Sequence, residues 1–151
     1  MANTQSMCTS FLGELMTATH NFGTAPLRAA TTADTFKAAL YFASATVNAS
    51  TTAYSATGEV SGTNYSAGGV TVTNATAPTT SGTTAYWTPS ASLVYTNVTL
   101  STAFDTVLIY NSTQSDKAVS VHTFGSQTVT AGTFTLTMPT NDASTGLIRI
   151  A

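Results

Sequence analysis

From Phe36 to the C-terminus no segment of this chain spaces its apolar residues at the period of a helix, and this removes most architectures at once. A parallel sheet needs crossover helices to return each strand, so antiparallel pairing fits better than any α/β scheme. The strand signal is clearest at the start of this region. Phe36, Ala38, Leu40 and Phe42 alternate with Lys37, Ala39 and Tyr41, the period of two that puts one apolar face on a core. Further strands are predicted at Val70–Thr73, Thr84–Thr88, Leu93–Leu100, Thr106–Asn111, Ala118–Thr123, Gly132–Met138 and Gly146–Ile150. Turn residues divide them: Pro89, Asn111-Ser112, Gly125-Ser126, Ala131-Gly132 and the run Pro139-Thr140-Asn141-Asp142. Gly62, Gly68 and Gly69 read as positions that need positive φ or close backbone approach. About eight short strands at such intervals predict an all-β fold, an antiparallel β-sandwich or a barrel.

The first thirty residues follow another pattern. Phe11, Leu12, Leu15 and Met16 fall on one side of a short helix, with Ser10 as its N-cap, Glu14 in its first turn and Asn21 to Gly23 as its stop. So short a helix is stable only if its apolar face docks. It either covers one end of its own β-domain or forms an arm that docks on another subunit. Residues 1–30 are therefore expected to be a helical arm and linker, and residues 31–151 the β-sandwich domain.

Composition matters for what such a domain can do. Four basic and six acidic residues make 7% of the 151 residues, with a formal net charge of −2, against about 25% charged residues in an average soluble domain. That is too little positive charge to neutralise many phosphates, so no nucleic-acid partner is expected. Serine and threonine fill about a third of the chain, giving a surface that is polar without being ionic. Soluble monomers usually carry interspersed surface charge, so this exterior suits either a hydroxyl-faced β-domain standing alone or a protein packed against neighbours. No basic stretch followed by an apolar one opens the chain, and no apolar run reaches the length of a membrane span; neither standard export nor a membrane partner is expected. The N-x-S/T triplets at Asn48, Asn64, Asn74, Asn97 and Asn111 are what a chain this rich in hydroxyl residues yields by chance.

The inventory for catalysis is sparse. His20 and His122 lack the carboxylates or thiolate that would complete a metal site, and Cys8 has no disulfide partner. Asp34, Glu59, Asp105, Asp116 and Asp142 sit in or beside predicted turns, where acidic residues solvate or cap. A triad from a serine, His122 and Asp105 can be written down, but abundant serine makes it uninformative. No cofactor, no metal and no enzymatic activity are expected. Trp87 and Tyr86 beside Pro89 either anchor the core or offer a surface for sugar rings.

Ser10 to Leu15, His20-Asn21-Phe22, Asp34 to Tyr41, Tyr54, Glu59 to Gly62, Tyr65, Gly68-Gly69, Leu108 to Ser112, Phe124-Gly125, Gly132 to Thr135 and Leu147 to Ala151 occur in this order along nearly the whole chain. In this arrangement the chain resembles the capsid cement, or head decoration, proteins of tailed phages. The resemblance implies a jelly-roll-like β-sandwich on the outer surface of the virion's capsid. It implies the major capsid protein as partner and a homo-oligomer, a dimer first and a trimer second. Phe11, Leu12, Leu15 and Met16 would then form the shell or subunit interface, with edge-strand pairing as a second mode. The alternative is a receptor- or carbohydrate-binding β-module of a phage tail or head fibre that uses Tyr86 and Trp87.

Overall fold

The computed structural model describes residues 15–17, 34–73 and 76–151. They form an all-β protein with two antiparallel sheets. In chain order the strands are β1 (Phe36–Phe42), β2 (Val70–Thr71), β3 (Thr79–Ser81), β4 (Thr84–Trp87), β5 (Leu93–Asn111), β6 (Lys117–Leu136) and β7 (Ile148–Ile150). The chain divides into two compact units. Among the described residues, one holds 34–73 and 91–137, and the other holds 76–90 and 138–151.

The larger unit is a four-stranded sheet in the order β2-β1-β5-β6. Its centre pairs β1 with β5, from Phe36 opposite Asn111 to Leu40 opposite Val107. Both faces of this pair are covered. Ala38, Leu40, Val107 and Ile109 on one face and Ala39, Tyr41, Leu108 and Tyr110 on the other are all buried. The second set forms a cluster on which Ala45, Val47, Tyr54, Ala118 and Val121 pack. The predicted alternation is therefore present in β1, but its second face is no more polar than its first, because the loop after Phe42 folds back over it.

The main departure from the sequence reading is the β5–β6 hairpin. The predicted strands at 93–100 and 106–111 are one strand of 19 residues, and those at 118–123 and 132–138 are one of 20. The turns expected at Gly125-Ser126 and Ala131-Gly132 do not reverse the chain. They fall where the β5–β6 register shifts, Gly125-Ser126 opposite the shift between Phe104 and Thr106 and Ala131-Gly132 opposite that between Val98 and Leu100 of β5. Asn97 and Ala131 take positive φ there, at 52° and 45°. Turn-type residues absorbed by bulges bend a long hairpin instead of ending a strand. The reversal itself is where Asn111-Ser112 predicted it. The Asn111 side chain accepts from the Thr113 and Gln114 amides, and Ser115 and Asp116 adopt positive φ.

Gly69 shows why the loop before β2 needs glycine. Its φ is 73°, and a Cβ there would overlap the Ala38 carbonyl oxygen and run into the backbone of β1. The smaller unit is a three-stranded sheet in the order β3-β4-β7. β3 was not predicted, because Thr79–Ser81 is wholly exposed and carries no apolar alternation.

Candidate functional site

Of the four residues expected to dock, Leu15 and Met16 are described, in a single helical turn that ends at Thr17. Leu15 is 43% exposed and Met16 half-buried. Phe11 and Leu12, and with them the rest of the predicted helix face, lie outside the described residues.

The hairpin offers a more extensive surface. Val94, Thr96, Asn97, Ser101, Thr102 and Ala103 of β5 are exposed, as are most residues of β6 beyond Gly125. Along both strands the charged residues are Asp105 and Lys117. Aromatic rings stiffen this region. Phe104 meets Phe124 and Phe134 edge-on at centroid distances of 6.0 and 5.0 Å, and Phe134 also contacts Tyr95. The result is a hydroxyl-bearing and almost ion-free surface backed by packed rings.

The sheet's two edges differ. On the β1 side, β2 pairs with Lys37 and Ala38, and further along Glu59 bridges to Tyr41 and the Val60 amide donates to the Leu40 carbonyl. On the β6 side, Ala53 bridges to Lys117 and the Ala118 amide donates to the Thr52 carbonyl. Beyond Ala118, no strand among the described residues pairs with the outer edge of β6.

Two acidic residues expected in solvated turns are buried instead. Asp34 and Glu59 are each 7% exposed. Asp34 accepts a 2.6 Å hydrogen bond from the Asn111 amide, which ties the start of β1 to the hairpin turn. Glu59 accepts from the Tyr54 hydroxyl at Oε2 (2.6 Å) and from the Tyr65 hydroxyl (2.8 Å) and the Gly68 amide (2.7 Å) at Oε1. Tyr65 in turn accepts from the Leu40 amide of β1. Tyr41, Tyr95 and Tyr110 donate to the carbonyls of Ser55, Ala38 and Gly68. The signal for this cage was the set of tyrosines that alternate with turn residues, but pairing them with Glu59 requires a fold that brings 54, 59, 65 and 68 against β1. Burial, and after it the Glu59 carboxylate, raises the pKa of Tyr54 and Tyr95; burial, Asp116 and Glu59 push Tyr110 up to about 12. Every oxygen of the Glu59 carboxylate is committed to holding the loop, so this buried acid is an anchor.

Asp105 also departs from expectation, lying within β5 and accepting from its neighbour Thr106. His122 shares a 2.9 Å hydrogen bond with Ser120, two residues away on the same strand. Burial lowers the His122 pKa. Asp105 bonds Thr106 and His122 bonds Ser120, so no hydrogen bond joins the aspartate to the histidine as a triad requires. Asp142 does cap, as expected: its carboxylate accepts from the Ser144 and Thr145 amides, and these contacts lower its pKa, those from Thr145 most. Among the described residues no three His, Cys, Asp or Glu side chains converge to hold a metal. No helix among them is long and apolar enough to cross a membrane.

Trp87 is 7% exposed and donates from its indole nitrogen to the Thr76 carbonyl, so it anchors the smaller unit and offers no open ring face. Asn48, Asn64 and Asn111 use their side chains on backbone or buried partners. No family model, curated protein or solved structure matches the chain.

Proposed function

We propose that this chain is a capsid cement protein, a virion component that binds the outer surface of an icosahedral phage head and bridges neighbouring copies of the major capsid protein. The observation that carries this reading is the hairpin surface: two strands of 19 and 20 residues on which Asp105 and Lys117 are the charged side chains. A surface of hydroxyls and small apolar groups packs against a neighbour without stripping water from ions, the costly step in burying a polar face. The sequence resemblance supplies the specific partner. The exposed Leu15 offers a second, local point for docking.

The mechanism is mechanical. A copy that spans two capsomers adds its own binding free energy to the cost of separating them. Linked contacts on a lattice gain avidity through effective concentration. A protein that binds the expanded shell more tightly than its precursor also shifts the equilibrium toward the expanded state. Cryo-electron microscopy of the assembled particle tests the proposal. Many copies on the outer shell are expected, and finding the chain only at the tail overturns it.

A further inference from the structure

We propose that Tyr54 and Glu59 form a proton-coupled redox site, at which Tyr54 gives up an electron to a small one-electron oxidant, such as an oxygen-centred radical, while Glu59 takes its proton. This chemistry is independent of shell binding. A phenol is hard to oxidise while it keeps its proton, and its radical cation is a strong acid. Oxidation is therefore easiest where a base already accepts the hydroxyl hydrogen. The tyrosines of the larger unit divide by this criterion. Tyr41, Tyr95 and Tyr110 donate to the backbone carbonyls of Ser55, Ala38 and Gly68, which are not bases. Tyr54 and Tyr65 donate to the Glu59 carboxylate.

The two bonds to Glu59 are not equivalent. At Oε2 the carboxylate accepts from Tyr54 at 2.6 Å, whereas Oε1 is shared by Tyr65 at 2.8 Å and the Gly68 amide at 2.7 Å. A proton delivered to Oε2 leaves both bonds at Oε1 intact, whereas one delivered to Oε1 competes with the Gly68 amide. Tyr65 also accepts from the Leu40 amide, which draws density from the oxygen that would have to lose it. Tyr54 is thus the better donor of an electron. It is half-buried, within reach of a small oxidant, and its ring stacks on that of Tyr110 with centroids 4.7 Å and planes 17° apart. The buried Tyr110 ring closes that face to water. The base is held in place, because Glu59 bridges to Tyr41 and the Val60 amide donates to the Leu40 carbonyl.

In the step itself the electron passes from the Tyr54 ring to the oxidant. The phenolic O–H bond breaks and an O–H bond forms at Glu59 Oε2, leaving a neutral tyrosyl radical beside a neutral carboxylic acid. The site loses its negative charge, and burial favours that change, since Glu59 is 7% exposed and a charge is costly there. The new acid hydroxyl donates back to the tyrosyl oxygen across the same contact. One electron from a small reductant such as ascorbate reverses both movements, and the proton returns from where it was stored.

Oxidation of the full chain with photogenerated ruthenium(III) tris-bipyridine tests the site. Transient absorbance follows the rate, and freeze-quench electron paramagnetic resonance separates a tyrosyl radical from one on Trp87. Wild type is expected to form the tyrosyl radical at a rate that does not depend on buffer concentration, because the base is internal, and to recover the phenol on addition of ascorbate. Tyr54→Phe keeps the ring stack and is expected to lose this phase. Glu59→Gln faces the Tyr54 hydroxyl with an amide in place of a carboxylate. It is expected to slow the phase about a hundredfold, the lower end of what a positioned base contributes, and to make the rate rise with buffer base. Far-UV circular dichroism before oxidation checks that the variants are folded. The buffer test on wild type and the Tyr54→Phe variant decide the question even where Glu59→Gln does not fold. A buffer-dependent rate in wild type, a fast phase that survives Tyr54→Phe, or one that folded Glu59→Gln leaves unchanged overturns the proposal.

Discussion

Removing the Glu59 carboxylate should uncouple the 54–69 loop from β1. Glu59→Ala leaves three donors without an acceptor: the Gly68 amide, which is buried, and the hydroxyls of Tyr65 and Tyr54, which are half-buried. A buried donor stripped of its partner costs about 1–3 kcal/mol. Counting the Gly68 amide and Tyr65 in full and Tyr54 at a fraction, because its hydroxyl can turn toward water, gives about 2–7 kcal/mol. Against a typical total of about 5–15 kcal/mol this approaches unfolding. Glu59→Gln is expected to be far milder. Its amide oxygen in the Oε1 position keeps both the Tyr65 hydroxyl and the Gly68 amide, and its NH2 faces the Tyr54 hydroxyl, which can accept; the loss is about 1 kcal/mol. Glu59→Leu separates hydrogen bonding from space filling, because it keeps the volume but accepts nothing. Urea unfolding followed by tyrosine fluorescence and far-UV circular dichroism measures all three. A Leu variant within about 1 kcal/mol of wild type would refute the reasoning, since only unpaired donors distinguish it from Gln.

The tyrosines around this cage predict a sharp alkaline limit. The pKa values of Tyr41, Tyr54, Tyr65, Tyr95 and Tyr110 are all raised, with burial the largest cause for each. The unfolded chain therefore releases protons first as pH rises above about 10, so stability is full below that pH and falls above it; tyrosinate absorbance should appear together with loss of structure, not before it. His122 works in the opposite direction. Burial lowers its pKa, so the unfolded chain binds the proton first and stability falls as pH drops below about 6.5. His122→Gln should flatten that slope in urea midpoints measured through this window. Trp87→Ala should cost about 3–5 kcal/mol of stability in the smaller unit, read as a lower denaturation midpoint, since the ring is buried and its hydrogen bond to Thr76 is lost. Binding to purified shells should change little between low and high salt, because ten formally charged side chains leave little for ions to screen; a steep loss would contradict the argument from charge scarcity.

The all-β class was legible because it rests on local periodicity. Phe36–Phe42 alternates as a strand must, and the reversal at Asn111-Ser112 carries residues that suit a turn. Strand length was not legible. Gly125-Ser126 and Ala131-Gly132 have the chemistry of turns, and a bulge uses the same chemistry. Which of the two forms depends on whether a partner strand continues alongside, and that is decided by β5, far away in sequence. The buried acids were missed for a related reason. Asp34 and Glu59 look like solvated turn residues locally, and only long-range contacts reveal their donors: Asn111 lies 77 positions from Asp34. The docking face suggested by Phe11, Leu12, Leu15 and Met16 is described only at Leu15 and Met16, whereas the open edge of β6 has no local sequence signal at all, because an edge is defined by the strand that is missing.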